Sequence, residues 1–395
     1  MIKQLAIAFL LLQSTFFTSK AQVSSTNISP GANQTAAYFP LLKNKKIGLV
    51  VNITSTIGQK LSVDSLVSGG FSPIKIFAPE HGFRGESSNG ASIANNVDEK
   101  TGIPIISLYG KHLKPSAEDL KGIDLLIFDI QDVGARFYTY LSTLHYVMEA
   151  CAENNIPLLV LDRPNPNGFY VDGPVLEPSF ASFIGMHPVP IVYGMTIGEY
   201  AQMINGEKWL KNGIECDLKI IPVADYTHKD RYTLPIKPSP NLTSQQAILL
   251  YPSLCLFEGT AISQGRGTYT PFQVLGAPAL ISKFSYSFKP KSIAGMSENP
   301  IHLGQDCYGL DLSTEKIGEQ LNLDWLLTLY KAYPDKKAFF DTKQYPQMGN
   351  FDKLAGTASL KQQIIQGKSI RAIRKSWEPA LSRFKLIRKK YLIYP

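Results

Sequence analysis

Continuous apolar runs alternate with helix-like segments along the first half of this chain of 395 residues. Leu125-Leu126-Ile127-Phe128 and Pro157–Leu161 contain no polar residue. A strand with one face in solvent alternates apolar and polar side chains, whereas a strand covered on both faces, as in a parallel sheet, does not. The pattern predicts a doubly wound, mostly parallel α/β fold, with strands at residues 46–51, 73–78, 104–108, 125–129 and 157–161 and helices at residues 61–68, 116–121 and 139–154.

The chain is long enough for two domains. Without its first 21 residues it has about 374 residues, which exceeds the usual size of a single hydrophobic core. Its character changes near Ser285, after which Pro290, Gly295 and Pro300 interrupt the pattern. We therefore predict a larger domain at residues 38–285 and a smaller C-terminal α/β domain at residues 286–395, with a strand near residues 309–313, a helix at residues 323–333 and a helical tract at residues 357–382.

The first residues have the form of a secretory signal. Lys3 precedes the apolar run Leu5–Leu12, which is too short to span a bilayer, and Ser19-Lys20-Ala21 has the small-x-small form of a cleavage site. We expect cleavage after Ala21 and then a disordered leader at residues 22–37, which are rich in Ser, Thr, Asn and Gln. The sequence therefore predicts a periplasmic or secreted protein with no membrane span.

The charge of the chain is modest for its length. The sequence has 40 Lys and Arg against 32 Asp and Glu, a net charge of +8. Removal of Lys3 and Lys20 with the signal leaves about +6, which fits a protein facing anionic cell-wall material better than a nucleic-acid binder. The dense basic run at residues 383–390 includes apolar residues, so we expect a solvated helix face there.

The four cysteines are far apart and form no C-x-x-C motif, so neither a zinc knuckle nor a redox motif is predicted. Three disulfide pairings are possible, and buried free thiols are at least as consistent with the apolar surroundings of Cys255. Six scattered histidines do not pair at the spacing of a metalloprotease, and we expect no metal and no cofactor.

Polar clusters follow three of the predicted strands. They occupy residues 79–85, 129–138 and 162–166, and a fourth cluster occupies residues 257–268. Ligands of an open parallel sheet bind at the carboxyl ends of its strands, because the loops converge there. Burial of so many charged and amide groups would be costly unless they were paired, and a polar ligand would pair them. We therefore expect a binding site at this edge of the sheet.

Carboxylate chemistry suits this site best, because the chain lacks G-x-S-x-G, G-x-x-x-x-G-K-[ST] and a complete dinucleotide fingerprint. Glycoside cleavage needs a general acid and a second carboxylate, or the acetamido group of the substrate. Glu80 suits the acid, because Pro79 and Phe83 would desolvate it. Asp129, Asp132 or Asp162 could supply the second carboxylate, and His81 is a further catalytic candidate.

Eight motifs in order resemble the signatures of the exo-β-N-acetylmuramidase family: PEHGFRG at residues 79–85, SLYG at 107–110, FDIQDVGARFYTY at 128–140, LDRPNP at 161–166, YGMTIGE at 193–199, KPSPN at 237–241, YPSLCLFEGT at 251–260 and SQGRGT at 263–268. The resemblance implies a Rossmann-like catalytic domain, a smaller domain that closes a cleft, and release of non-reducing terminal β-1,4-linked N-acetylmuramic acid from peptidoglycan fragments in wall turnover. It also implies a catalytic role for Glu80. Many members have Glu where this chain has Gln264.

N-acetylmuramic acid carries a lactyl carboxylate, so its recognition should need a fixed cation, and a guanidinium suits a planar carboxylate. We expect Arg136 or Arg163 to supply it. The full set of substrate-binding candidates is Arg84, Gln131, Arg136, Tyr138, Asp162, Arg163, Asn165, Glu258, Gln264 and Arg266. Two alternatives stay open: a glycosidase for N-acetylglucosamine, and a non-catalytic muropeptide-binding protein, which Gln264 favours. The sequence leaves the oligomeric state unknown.

Overall fold

The computed structural model describes residues 28–80, 82–84, 96–341 and 349–395. Within these ranges, seven strands form one sheet in the order β11-β8-β7-β1-β4-β6-β5. All neighbouring strands in it are parallel except the edge strand β5. The strands are β1 (Ile47–Val51), β4 (Pro73–Ala78), β5 (Asn96–Val97), β6 (Pro104–Ser107), β7 (Leu125–Asp129), β8 (Leu158–Leu161) and β11 (Leu218–Ile221), with the small hairpin β2 (Thr56–Ile57) and β3 (Lys60–Leu61) beside them.

The parallel strands follow the order of a Rossmann-like sheet. Numbered along the chain, β1, β4, β6, β7, β8 and β11 lie in the spatial order 3-2-1-4-5-6, with the reversal between β1 and β7. Every residue of β1, β7 and β8 is buried, as their continuous apolar runs predicted. The predicted doubly wound α/β fold is therefore confirmed, and the strands begin and end within two residues of their predicted bounds.

Helices cover the sheet and complete the second domain. They are α1 (Thr35–Leu42), α2 (Ser62–Ser68), α3 (Ala117–Leu120), α4 (Tyr140–Asn154), α5 (Ile197–Gly206), α6 (Gln245–Leu254), α7 (Asp324–Ala332), α8 (Phe351–Ala355), α9 (Ser359–Ile365) and α10 (Ile370–Arg388). The apolar stripe of α4, including Leu144 and Met148, is buried. Thr196 and Glu199 form a capping box at the start of α5. None of the helices in the described ranges is long and apolar enough to cross a membrane.

Two small antiparallel sheets lie apart from the large sheet. β9 (Asp172–Val175) pairs with β10 (Pro190–Val192), and β12 (Val274–Ala277), β13 (Tyr286–Phe288) and β14 (Cys307–Asp311) pair in the order β12-β14-β13. The predicted domain boundary at residues 285–286 lies inside this second sheet, between β12 and β13. The predicted helical tract at residues 357–382 consists of α9 and α10, and α10 continues to Arg388.

Both ends of the described chain pack on the large sheet. Part of the segment expected to be a disordered leader is ordered, because Gly31 donates its N–H to the carbonyl of Asp162 at 2.7 Å. A Cβ on Gly31 would lie 2.2 Å from the carbonyl oxygen of Ile221, so only glycine fits this approach. At the other end, the Tyr394 hydroxyl donates to Asp162 Oδ2 at 2.5 Å. The C-terminal tail thus lies on the end of β8.

All four cysteines, Cys151, Cys216, Cys255 and Cys307, are buried free thiols. This agrees with the interpretation that their apolar neighbours favoured. The basic run at residues 383–390 lies on α10 and the turn after it, where Phe384 is buried while Arg383, Lys385 and Lys389 are exposed. The predicted solvated helix face is confirmed.

Candidate active site

Glu80 lies just beyond the carboxyl end of β4 and lines a cleft. Its carboxylate oxygen Oε2 accepts a hydrogen bond from Thr139 Oγ1 at 3.0 Å, and its backbone carbonyl accepts one from the Tyr140 hydroxyl at 3.4 Å. Thr139 is the N-cap residue of α4, so the carboxylate lies near the positive end of this helix. Burial and the neighbouring Glu80 carboxylate raise the pKa of Tyr109. His81 lies outside the described residues.

Aromatic side chains form the walls of this cleft, which encloses about 210 Å³. Edge-to-face contacts join Tyr138 to Tyr140 and Tyr251, and Tyr251 to Phe272, so the aromatic walls pack against one another. A second cavity of about 430 Å³ adjoins it and shares Tyr140 and Ser239 as lining residues. The aromatic residues that line the first cavity are Tyr109, Phe137, Tyr138, Tyr140, Phe183, Tyr251 and Phe272.

Glu258 brings a second carboxylate to the same cleft. It lies on a 3-10 helix, Cys255–Gly259, that continues α6. Its Oε1 accepts three hydrogen bonds, from Arg266 Nε at 2.8 Å, Arg266 Nη2 at 2.7 Å and Gln264 Nε2 at 3.2 Å. The contact of Oε2 is with the thiol of Cys255, at 3.7 Å. Glu258 is therefore held in a fixed position by one of its two oxygens.

Arg266 lines the cleft with Glu258. Burial alone would lower the pKa of the guanidinium, but the charge and hydrogen bonds of Glu258 raise it above its ordinary value. Its Nη1 is buried and finds no hydrogen-bond partner among the described residues. An unpaired buried donor is costly, so this nitrogen is suited to meet a polar ligand.

Arg163 and Asp129 form a buried ion pair away from the cleft walls, with Arg163 Nε 2.6 Å from Asp129 Oδ1. Arg163 Nη2 also donates to the carbonyl of Thr56 at 3.1 Å. Burial raises the pKa of Asp129, and the charge of Arg163 opposes that shift. Neither side chain lines the two cavities, and the role that the sequence analysis gave Arg163, binding the substrate carboxylate, has no geometric support here.

Arg136 is likewise committed within the protein. Its Nη1 donates to the carbonyls of Pro174 and Val189, and its Nη2 donates to the carbonyl of Leu354 at 2.9 Å. Burial lowers the pKa of Arg136 to about 9. This guanidinium joins β9 and the segment before β10 to α8. Its Nε is buried without a hydrogen-bond partner among the described residues. Arg136 lines neither cavity, however, so its position does not support the expected contact with substrate.

Asp132 and Gln131 brace the loop after β7. Asp132 Oδ2 accepts hydrogen bonds from the N–H of Gly134 at 2.6 Å and from the Tyr193 hydroxyl. Burial raises the pKa of Asp132 to about 6, although the Tyr193 hydrogen bond opposes the shift. Gln131 Nε2 donates to the carbonyls of Asp132 and Pro164. The side chains of Gln131 and Asp132 therefore stabilise this loop through hydrogen bonds within the protein.

Asp162, Asn165 and Arg84 also make internal contacts. Asp162 accepts from Thr196 Oγ1 and from the N–H of Gly198 at the start of α5, and burial raises its pKa to about 6. Asn165 Nδ2 donates to the carbonyl of Met195 at 2.8 Å. Arg84 pairs with Asp98 at 2.7 Å and more loosely with Asp64.

The structure thus brings together four of the predicted site residues, Glu80, Tyr138, Glu258 and Arg266, with Gln264 in contact with Glu258. Thr139 and Tyr109 were not among the predicted site residues, although both lie within the sequence motifs, YTY and SLYG. Their proximity to Glu80 depends on how α4 and the loop after β6 approach the end of β4. Within the ranges that the structure describes, no three His, Cys, Asp or Glu side chains form a metal-binding group.

The fold and the cleft define a two-domain α/β protein with paired carboxylates of the kind that glycoside hydrolases use. Two family models match the chain: Exo-beta-N-acetylmuramidase NamZ, N-terminal, at residues 47–246, and its C-terminal counterpart at residues 249–394. The chain is also 41% identical to the peptidoglycan beta-N-acetylmuramidase NamZ of Bacillus subtilis (strain 168) over 377 residues, 90% of this chain and 89% of that protein. The chain belongs to the exo-beta-N-acetylmuramidase NamZ family.

Two solved structures share the fold over nearly the whole chain. Both are crystal structures of DUF1343 family proteins from Bacteroides fragilis NCTC 9343. One is 46% identical, with a TM-score of 0.85 over 93% of this chain and 99% of that chain. The other is 29% identical, with a TM-score of 0.79 over 94% of this chain and 100% of that chain. The resemblance that the eight motifs indicated is confirmed.

Proposed function

We propose that this protein is an exo-acting glycoside hydrolase that releases non-reducing terminal β-1,4-linked N-acetylmuramic acid from peptidoglycan fragments, in cell-wall turnover or recycling. Membership of the family and the activity named for the Bacillus subtilis relative support this proposal. The observation that carries it is that Glu80 and Glu258, 178 residues apart in the chain, line one aromatic-walled cleft.

Glu80 is the general acid in this proposal. It stands at the end of β4 among aromatic side chains, and the Thr139 hydroxyl holds its carboxyl group in one orientation at 3.0 Å. Proton transfer to the glycosidic oxygen needs such a fixed group within hydrogen-bond reach of the leaving group. Tyr109, also in contact with Glu80, adds a second polar group at the same position.

Glu258 supplies the second carboxylate, the role that the sequence analysis gave to Asp129, Asp132 or Asp162. Its ion pair with Arg266 and its bond from Gln264 fix Oε1 and orient the carboxylate. A negative charge in that position stabilises the oxocarbenium-like transition state of glycoside cleavage. Gln264 acts here as a donor that positions Glu258, so the absence of Glu at position 264 does not remove the second carboxylate from the cleft.

Arg266 is the cation for the lactyl carboxylate in this proposal, in place of Arg136 and Arg163. Its unpartnered Nη1 can donate to an anionic oxygen while Nε and Nη2 keep their bonds to Glu258. Tyr138 and the other aromatic walls offer flat apolar surface to the pyranose ring. The cleft thereby matches both the apolar face and the acidic group of N-acetylmuramic acid.

Product analysis tests this assignment. The purified mature protein is incubated with a disaccharide that carries N-acetylmuramic acid at its non-reducing end, and with the reversed disaccharide that carries N-acetylglucosamine there. We expect release of free N-acetylmuramic acid from the first substrate and no cleavage of the second. Cleavage of the second alone would identify a glucosaminidase, and tight binding of the first without cleavage would identify a muropeptide-binding protein.

We also propose that the chain is exported and that its signal is cleaved after Ala21, giving a periplasmic or secreted enzyme. The support is the sequence pattern of residues 3–21, which lie outside the described residues. Fractionation of native cells and the N-terminal sequence of the isolated protein test this. A mature chain that begins at Gln22 and is absent from the cytoplasm is expected, whereas an intact Met1 would contradict it.

A further inference from the structure

The positive charge of this protein is concentrated at its C-terminal end. Residues 349–395 carry eleven Lys and Arg and two Asp and Glu, a net charge of +9, while the whole chain carries +8. Residues 1–348 therefore have 29 basic and 30 acidic residues, a net charge of −1. A segment of 47 residues thus accounts for the whole net positive charge of the chain.

Helix α10 displays much of this charge to solvent. Some of its basic residues are used within the fold: Arg374 pairs with Asp172 at 2.7 Å, and Arg388 Nε donates to the carbonyl of Gly194 at 2.9 Å. Others are exposed and have no acidic partner within 4.0 Å among the described residues. These exposed residues, which we call the basic face, are Arg371, Lys375, Arg383, Lys385 and Lys389, the last being just beyond the helix.

The chemistry of the basic face indicates which polyanion it suits. The apolar side of α10 is already buried within the fold, through Ile373, Trp377, Leu381 and Phe384. A helix that lies in a lipid surface needs a broad free apolar side, yet Leu386, 66% exposed, is the one large apolar residue that α10 exposes along its fully described length. Binding of single-stranded nucleic acid uses exposed aromatic side chains for stacking, and the buried Trp377 and Phe384 cannot provide them.

We propose that the basic face of α10 docks a carboxylate-bearing glycan polymer, and that this polymer is the peptidoglycan whose chain ends the cleft acts on. The choice of peptidoglycan rests on the proposed function. None of the residues of α10 lines either cavity of the candidate active site, so the basic face is a second, separate binding surface. Long-range attraction to a polyanion raises the local concentration of chain ends at the cleft and weakens with added salt.

Co-sedimentation with purified insoluble peptidoglycan tests the proposal. One variant combines Arg371→Gln, Lys375→Gln, Lys385→Gln and Lys389→Gln, which neutralises four charges of the basic face. The matched control combines Lys43→Gln, Lys45→Gln, Lys60→Gln and Lys283→Gln, which removes four exposed charges elsewhere. Circular dichroism and turnover of a soluble aryl N-acetylmuramic acid glycoside verify that each variant is folded and that its cleft is intact.

We expect the wild-type protein to pellet with peptidoglycan at low salt and to be released at about 1 M sodium chloride, where the Debye length is about 3 Å. The α10 variant should bind about tenfold more weakly, and the control variant should bind like the wild type. Equal binding by both variants, no binding by the wild type, or binding to phosphatidylglycerol vesicles in preference to peptidoglycan would overturn the proposal. Loss of pelleting by the α10 variant, with its turnover of the soluble glycoside unchanged, would support the proposal. Absence of soluble turnover by the wild-type protein would instead count against the proposed function.

Discussion

Glu258 and Arg266 are joined through one carboxylate oxygen, Glu258 Oε1. This oxygen accepts hydrogen bonds from Arg266 Nε at 2.8 Å and from Arg266 Nη2 at 2.7 Å. This arrangement holds the guanidinium in the cleft wall and leaves its Nη1 without a partner among the described residues. In contrast, Arg136 and Arg163 line neither cavity, and both donate hydrogen bonds to groups within the protein. The ion pair of Glu258 and Arg266 therefore connects the proposed chemistry with the proposed specificity.

Replacement of Arg266 by Lys tests that connection. Lys keeps the charge but cannot hold Glu258 through two nitrogens and also offer a third to the substrate. We expect the preference for muramic acid over glucosamine glycosides, measured as the ratio of kcat/KM values, to fall about tenfold to a hundredfold. Arg231→Lys, at an exposed ion pair with Glu319, is the control. An unchanged preference in Arg266→Lys would assign the carboxylate to another cation.

The buried ion pair of Arg163 and Asp129 should be structural. Arg163→Ala leaves the Asp129 carboxylate uncompensated in the interior, which costs about 3–5 kcal/mol of the free energy of unfolding. Lys289→Ala breaks the exposed pair with Asp306 and should cost less than about 1 kcal/mol. Urea unfolding of the two variants measures both values. Similar small losses in the two variants would show that the buried pair does not stabilise the fold.

The fold followed from the sequence more completely than the site did. The strands were predictable because β7 and β8 are buried on both faces, and a continuous apolar run reports that burial directly. Of the three polar clusters at strand ends, the first brings Glu80 and the second brings Tyr138 to the cleft. The aspartates of the second and third clusters have partners within the protein instead. Asp129 is neutralised by Arg163, 34 residues later, and Asp162 accepts a hydrogen bond from Tyr394, 232 residues later. A polar residue at a strand end gives no sign of such distant partners, so these pairings could not be predicted locally.

The C-terminal tail should stabilise the large domain through one hydroxyl group. Tyr394 donates to Asp162 and accepts from the N–H of Val223 at 2.8 Å, in a buried position. Tyr394→Phe leaves the N–H of Val223 unsatisfied and removes one of the hydrogen bonds that Asp162 accepts, so it should lower the free energy of unfolding by about 1–3 kcal/mol. Tyr269→Phe, whose side chain is 82% exposed, should change it by less than about 0.5 kcal/mol. Equal stability of Tyr394→Phe and the wild type would mean that the tail contributes little.

His187 should make the stability depend on pH. Burial, and to a smaller extent the charge of the neighbouring His145, lowers the pKa of His187 well below its ordinary value of 6.5. The fold therefore favours the neutral form, and this contribution is complete above pH 6.5 and lost as the pH falls below it. The stability advantage of the wild type over His187→Gln should shrink between pH 7 and pH 5 in denaturant titrations. An advantage that grows on acidification would contradict the sign of this shift.

The stability of His187→Gln must be subtracted from that of the wild type at each pH, because other buried groups change the stability with pH in the opposite direction. Burial raises the pKa of Asp132 and Asp162 to about 6, so the fold favours their protonated forms. Their contribution is present at low pH and is lost as the pH rises from their ordinary value of 3.8 to about 6. The difference between wild type and His187→Gln isolates the histidine from these carboxyl groups.

The most direct test of the central claim is the turnover of a β-N-acetylmuramic acid aryl glycoside by the wild-type protein and by Glu80→Gln, with Glu215→Gln, an exposed glutamate, as the control. We predict that the wild type and Glu215→Gln cleave this glycoside, that neither cleaves the N-acetylglucosamine analogue, and that Glu80→Gln loses about 10²–10⁴-fold in kcat while remaining folded. Wild-type turnover that survives in Glu80→Gln would contradict the assignment of the acid, and the absence of turnover by the folded wild type would contradict the proposed hydrolase itself.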